Sequence, residues 1–96
     1  MAKYILLVNW TEQGVKNVKD SPKRLDGARK LAETAGAKLG DFYMTMGGYD
    51  MVVHLEAPDD ATVARFVLNL AGAGNVRTQT LKAFSEDEYR KILGAL

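Results

Sequence analysis

Residues Ala37–Glu56 read AKLGDFYMTMGGYDMVVHLE, and they contain the clearest structural signal in the chain. Two segments rich in β-formers, Ala37–Met46 and Asp50–Glu56, flank Gly47-Gly48. Paired glycines suit a two-residue hairpin turn, because such turns need positive φ angles. This part of the sequence therefore predicts an antiparallel β-hairpin.

The predicted hairpin register sorts the side chains onto two faces of a sheet. One face is apolar and should lie beneath helices; it contains the pairs Met46–Tyr49, Met44–Met51, Phe42–Val53 and Gly40–Leu55. The other face contains the pairs Thr45–Asp50, Tyr43–Val52 and Asp41–His54. A shift of one residue would destroy this separation, so the register is internally consistent.

The remaining elements follow from apolar periodicity and from helix start and stop signals. Ala2–Asn9 predicts a first strand, and Thr11 suits the N-cap of a short helix. Ser21 is the expected cap of a longer helix, with Pro22 at its first position and Gly36 after its end. The other predictions are a helix from Pro58 to Gly72, a strand from Asn75 to Phe84, and a terminal helix that starts with the capping box Ser85–Glu88 and runs to about Leu93.

The order β-α-β-β-α-β plus a terminal helix predicts a single ferredoxin-like α+β domain over residues 1–96. We expect a four-stranded antiparallel sheet of order 4-1-3-2, with both main helices on one face. A flavodoxin-like fold would need more alternating units than 96 residues hold.

The first strand is apolar on both faces. Tyr4, Leu6 and Val8 point one way, while Ile5 and Leu7 point the other. The two main helices can cover only one of these faces, and large exposed apolar patches are unusual on monomers. Either the terminal helix or a second copy of the sheet must cover the other. The terminal helix is short and charged at its start, so we expect a homodimer or higher oligomer, packed as an α+β barrel.

Composition argues against several classes of function. Thirteen Lys and Arg residues against twelve Asp and Glu residues give a net charge of +1, so neither nucleic acid nor a membrane is an expected partner. With no cysteine and one histidine, disulfides, thiol nucleophiles and an intrachain His triad are excluded, and we predict no metal and no cofactor. The N-terminal apolar run is too short for a membrane span and is not followed by a cleavage site, so we expect a cytoplasmic protein.

His54, Asp41 and Tyr43 form the first group of candidate site residues, on the sheet face without helices. A carboxylate beside an imidazole can orient a general base. The commoner use of such a pair is to fix strand register or a dimer contact, and both interpretations stay open.

Four further residues are candidate ligand contacts. Tyr49 and Asp50 either complete a hairpin turn or lie at the mouth of a pocket or at the dimer seam. Trp10, at the end of the first strand, either lines a pocket or closes the barrel. Arg77 can bind an anionic ligand, although a solvated position on an edge strand is commoner.

The tripeptide Gly48-Tyr49-Asp50 is the signature of the GYD domain family, which this chain resembles over nearly its whole length. The supporting blocks, in order, are Thr11-Glu12-Gln13-Gly14, Lys19-Asp20-Ser21-Pro22, Asp41-Phe42-Tyr43, Glu56-Ala57-Pro58-Asp59-Asp60, Asn75-Val76-Arg77-Thr78 and Ala83-Phe84-Ser85. The resemblance implies membership of the dimeric α+β barrel superfamily, which includes small monooxygenases, haem-handling enzymes and effector-sensing domains of bacterial regulators. The family's function is uncharacterised, so the resemblance assigns no catalytic residue.

Three functions fit these observations. The first is a homo-oligomeric barrel that binds or senses a small, mostly apolar molecule on the second sheet face. The second is a monooxygenase-type or haem-handling enzyme that uses His54, Asp41 and Tyr43. The third is an oligomerisation module with a filled interior.

Overall fold

The computed structural model describes residues 1–96, and its elements occur in the expected order. They are β1 (Ala2–Trp10), α1 (Glu12–Lys16), a 3-10 turn (Val18–Asp20), α2 (Ser21–Thr34), β2 (Lys38–Met44), β3 (Met51–Ala57), α3 (Asp60–Gly72), β4 (Val76–Ala83) and α4 (Glu86–Gly94). The strands form one antiparallel sheet of order β2-β3-β1-β4. This order is the predicted 4-1-3-2 order viewed from the other edge, so the ferredoxin-like α+β fold is confirmed.

Most of the helix boundaries arise from the capping residues that the sequence indicated. The Thr11 side chain accepts a hydrogen bond from the Gly14 N–H at the start of α1. Ser85 and Glu88 form the predicted capping box of α4. One expectation is wrong by a single position. Ser21 is the first residue of α2, and Asp20 takes the N-cap place without a side-chain bond.

The β2–β3 register is as predicted near the loop and shifts farther away. The confirmed pairs are Phe42–Val53, Tyr43–Val52 and Met44–Met51. Beyond them Leu39 pairs with Leu55, so Gly40 and Asp41 both lie opposite His54. The predicted pairs Gly40–Leu55 and Asp41–His54 are therefore wrong as one-to-one partners, because a β-bulge inserts one extra residue into β2.

The β2–β3 connection is wider than a two-residue turn. The Thr45 N–H donates to the Asp50 carbonyl at 2.8 Å, and the residues between them form the loop. Gly47 has a positive φ of 144°, whereas Gly48 does not. Met46 is 94% exposed and forms no strand pair with Tyr49, so its predicted place beneath the helices is wrong.

The hydrophobic core lies between one sheet face and helices α2 and α3. Its largest fully buried side chains are Leu6 of β1, Leu55 of β3 and Phe66 of α3. Helix α2 contributes the small residues Ala28 and Ala32. Small side chains on α2 fill less of the space above the sheet than leucines would, and this leaves room beside the core.

The opposite face of the sheet, here called the open sheet face, carries no helix. Ile5, Leu7 and Val52 are half-buried there, and Leu81 of β4 is exposed. Helix α4 has no buried residue of its own, and its contact with this face includes the ion pair between Lys3 and Glu88 at 3.9 Å. Its apolar residues Tyr89, Ile92 and Leu93 are each about half exposed.

The overall dimensions are larger than those of a typical compact monomer of this size. The accessible surface is 6502 Å², whereas a monomer of this mass typically exposes roughly 5,400 Å². The radius of gyration is 14.3 Å, against about 12.5 Å for a compact chain of this length. No helix is both long and apolar enough to span a membrane.

Candidate functional site

The structure brings three of the predicted site residues together on the open sheet face. His54 Nδ1 lies 4.0 Å from Asp41 Oδ2, and the rings of Tyr43 and His54 meet edge to face with centroids 6.4 Å apart. The bulge keeps Asp41 beside His54 despite the changed register. At 4.0 Å the imidazole and the carboxylate are an ion pair at most, since a hydrogen bond needs a shorter distance.

Tyr49 and Asp50 attach the β2–β3 hairpin to its neighbours. Asp50 Oδ2 accepts a hydrogen bond of 3.0 Å from the backbone N–H of Trp10. The Tyr49 hydroxyl donates to Gln79 Oε1 on β4 at 2.6 Å. These two hydrogen bonds hold the signature tripeptide, and with it the hairpin, against β1 and β4.

Arg77 pairs with Asn9 in the β1–β4 ladder, which places it at the exposed edge of the open sheet face.

An apolar cleft of about 340 Å³ lies on the other side of the sheet, between the strands and helices α2 and α3. We call it the helix-face cleft. It is lined by Leu6, Val8, Trp10, Val18, Ser21, Pro22, Arg24, Leu25, Ala28, Leu39, Phe42, Met44, Met51, Val53, Phe66, Leu70 and Val76. The ligand site expected from the sequence lies on the opposite face. Of the predicted site residues, only Trp10 lines the cleft.

Trp10 forms part of the cleft wall at the end of β1. Its indole Nε1 is buried and has no hydrogen-bond partner in the protein. Buried donors are normally paired, so this unpaired group is a departure from the usual pattern. As the chain's one tryptophan, Trp10 is also an intrinsic fluorescent reporter for the cleft.

Two cleft residues with polar side chains are not among the candidate site residues that the sequence indicates. Ser21 and Arg24 lie in the first turns of α2. The Arg24 guanidinium donates to the carbonyls of Asn17 at 2.9 Å and Gly14 at 3.2 Å. In the sequence Arg24 is one of several basic residues around α2, and nothing in their spacing separates it from the others.

A second polar cluster joins β1, α3 and β4 at the far end of the sheet. The Tyr4 hydroxyl donates to Asp60, and Lys82 Nζ lies 3.3 Å from both the Tyr4 hydroxyl and Asp60 Oδ1. The hydrogen bond from Tyr4 lowers the pKa of Asp60, and Lys82 lowers it further. The same bond to Asp60 raises the pKa of Tyr4. Near neutral pH the three groups therefore keep their ordinary charges and tie the start of α3 to the sheet.

The arrangement of ligating side chains does not indicate a metal centre. The chain holds no group of three or more His, Asp or Glu side chains placed to bind a metal ion. What the geometry offers instead is an apolar cleft with a cation at its edge.

Comparison with known proteins shows the family. The GYD domain model matches residues 4–93, nearly the whole chain. This chain is a member of the GYD domain family. Among curated proteins, it is 37% identical over 84 residues to a glutamine synthetase and cystathionine beta-lyase binding protein from Thermus thermophilus. The match spans 86% of this chain and 88% of that protein.

Solved structures share the fold at low sequence identity. A feast or famine regulatory protein from M. tuberculosis, determined in complex with L-methionine, superposes with a TM-score of 0.68 at 13% identity. That match covers 88% of this chain and 51% of the regulator, so the chain spans about half of the regulator's length. The crystal structure of a Thermus thermophilus protein superposes with a TM-score of 0.57 at 20% identity, covering 88% of this chain and 95% of that one.

The hydrogen bond from the Trp10 N–H to Asp50 generates a stability prediction. Asp50→Ala leaves the Trp10 N–H without its acceptor, so we expect the free energy of unfolding to fall by about 1–3 kcal/mol. Asp50→Asn keeps an acceptor oxygen and should lose less. Urea unfolding followed by Trp10 fluorescence measures both variants. Asp26→Ala, at an exposed position of α2, is the control and should change stability by less than about 0.5 kcal/mol. Equal losses for Asp50→Ala and Asp26→Ala would contradict the structural role.

Proposed function

We propose that this GYD domain is a homodimeric binding module that holds a small, mostly apolar molecule in the helix-face cleft. The observation that carries the proposal is the cleft lining, in which 14 of 17 residues are hydrophobic. Ligand pockets are typically concave, mostly apolar and equipped with few polar groups. An apolar cavity of about 150 Å³ is already large enough to bind benzene, so the volume here suits a larger guest.

Burial of apolar surface supplies the driving force for binding. Val18 and Met44 border the cleft and remain substantially exposed. A guest that covers such side chains removes their surface from water, which stabilises the complex by about 25 cal/mol per Å² before the costs of association.

The open sheet face supports the homodimer. Ile5, Leu7, Val52 and Leu81 form its apolar centre. The chain exposes about 1,100 Å² more than a typical monomer, which exceeds the roughly 800 Å² that each partner buries in a standard interface. Face-to-face packing of two sheets around a two-fold axis would cover this centre.

In the proposed dimer, the other predicted site residues lie close to the contact between the two sheets. His54, Asp41 and Tyr43 would lie at the border of the interface, together with Tyr49 and Arg77. We infer that they contribute to the contact between the two sheets. An enzyme that uses His54, Asp41 and Tyr43 stays the alternative on this face. The third function is an oligomerisation module whose interior is filled and which binds no ligand.

The cleft is tested by titration with 1-decanol, monitored through the emission of Trp10. We expect a saturable change in wild-type protein. Ala28→Phe places a ring in the cleft, so its affinity should fall by about tenfold or more, equivalent to about 1.4 kcal/mol. Ala61→Phe adds the same ring at an exposed position of α3 and should bind like wild type. An unsaturable wild-type response, or equal affinity in both variants, would refute the cleft as the binding site.

The dimer is tested by light scattering coupled to size-exclusion chromatography. Wild-type protein should have the mass of a dimer at micromolar concentration. Leu81→Glu places a charge in the proposed interface and should give a monomer, because an unpaired charge is costly to bury. Leu68→Glu, at an exposed leucine on α3, is the matched control and should stay dimeric. A monomeric wild type, or dissociation of the Leu68 variant alone, would disprove the interface.

The Thermus thermophilus relative favours a second candidate function, the binding of metabolic enzymes. In that case the protein should bind purified glutamine synthetase or cystathionine beta-lyase in isothermal calorimetry. Binding through an outer surface should persist in the Ala28→Phe variant, because Ala28 is buried and contributes nothing to that surface. No heat of binding with either enzyme would eliminate this candidate.

A further inference from the structure

We propose that the molecule bound in the helix-face cleft is an apolar carboxylate whose charged group pairs with Arg24. The inference rests on the proposed binding function and specifies the ligand's chemistry. Among the lining residues, only Ser21 and Arg24 have polar side chains. Both lie in the first two turns of α2. The polar contacts available to a ligand are therefore grouped at one end of an otherwise apolar surface.

The charge of Arg24 is not balanced within the chain. None of the four ion pairs in the structure includes Arg24, and Asp20, four residues earlier, is not paired with it. The guanidinium uses its Nη1 and Nη2 groups to donate to the carbonyls of Asn17 and Gly14. A guanidinium has five N–H donors, so donors remain for a ligand.

The Gly14 carbonyl, one of the two that orient Arg24, is held in place by contacts of α1 and its cap with Asn75. The Thr11 N–H donates to the Asn75 carbonyl at 3.0 Å, and Gln13 Nε2 donates to Asn75 Oδ1 at 3.0 Å. Gly14 packs so closely on the Asn75 carbonyl that a Cβ atom at this position would collide with it. Arg24 is thus positioned before a ligand arrives, which reduces the entropy that binding costs.

A carboxylate matches this group better than other anions do. Guanidinium and carboxylate form bidentate, charge-assisted hydrogen bonds, and the Ser21 hydroxyl is a further donor near the same end of the cleft. The lining contains no second cation. One guanidinium balances a single negative charge, whereas a phosphate ester would bring additional charge to an apolar surface. The predicted ligand is therefore a monocarboxylic acid with an aliphatic or aromatic body.

The test compares decanoate with 1-decanol, which share an alkyl chain and differ in the head group. Trp10 emission reports both titrations. We expect wild-type protein to bind decanoate about tenfold more tightly than decanol, in keeping with the strength of hydrogen bonds to charged groups. Arg24→Gln should remove this preference while decanol affinity stays within about twofold. Arg24→Lys, which keeps the charge without the bidentate geometry, should retain part of the preference.

Arg29→Gln is the matched control. Arg29 also lies on α2 and also donates to two backbone carbonyls, those of Leu39 and Gly40, but it does not line the cleft. Its variant should keep the full preference for decanoate. Circular dichroism checks that each variant is folded.

The outcomes separate the two proposals. Equal wild-type affinity for decanoate and decanol would overturn the role of Arg24 and leave the cleft as a binding site. Failure of both probes to bind would overturn the binding function itself. The wild-type comparison decides the carboxylate preference even when the Arg24 variant does not fold.

Discussion

Strand β1 has apolar side chains on both of its faces, and it lies inside the sheet between β3 and β4. A strand of this kind must be covered twice, yet the chain supplies only one helical layer. Leu6 and Val8 face α2 and α3 and belong to the core. Ile5 and Leu7 face away from α2 and α3 and are only half-buried. The proposed dimer follows from this imbalance.

The signature tripeptide matters because it fastens the end of β1. Asp50 accepts the Trp10 N–H, while its own N–H donates to the Val8 carbonyl. These two hydrogen bonds hold the hairpin against β1, the strand that contributes Trp10 to the cleft wall. Tyr49 reaches Gln79 across the sheet and secures the hairpin on β4. The tripeptide thus aligns the β2–β3 hairpin with β1 and β4. The position of the Trp10 side chain depends on this alignment.

The order of elements, the sheet topology and most helix ends could be predicted from the sequence. They depend on helix caps, turn residues and the spacing of apolar residues, which are all patterns of a few neighbouring residues. The bulge at Gly40 and Asp41 was not predictable, since it depends on how β2 fits against His54. The cleft depends on the space between α2 and α3, a property of packing that no short pattern encodes. Arg24 resembles Arg29 in sequence, and only the folded structure shows that Arg24 lines the cleft while Arg29 does not. For Trp10 the sequence left two uses open, a pocket wall or closure of the barrel, and its place in the cleft wall comes from the structure.

The location of the cleft changes how binding and assembly are related. A ligand inside a barrel would touch both sheets, so the site would be incomplete without a second chain. All the residues that line the helix-face cleft come from one chain, and they lie on the side of the sheet opposite the proposed interface. A ligand can alter an assembly equilibrium only if it has different affinities for the two states. For this protein such a difference would have to pass through β1, whose alternate side chains border the cleft and the open sheet face. Unless β1 itself shifts, a ligand makes the same contacts in the free chain and in the proposed dimer, and binding at each cleft is then independent of assembly.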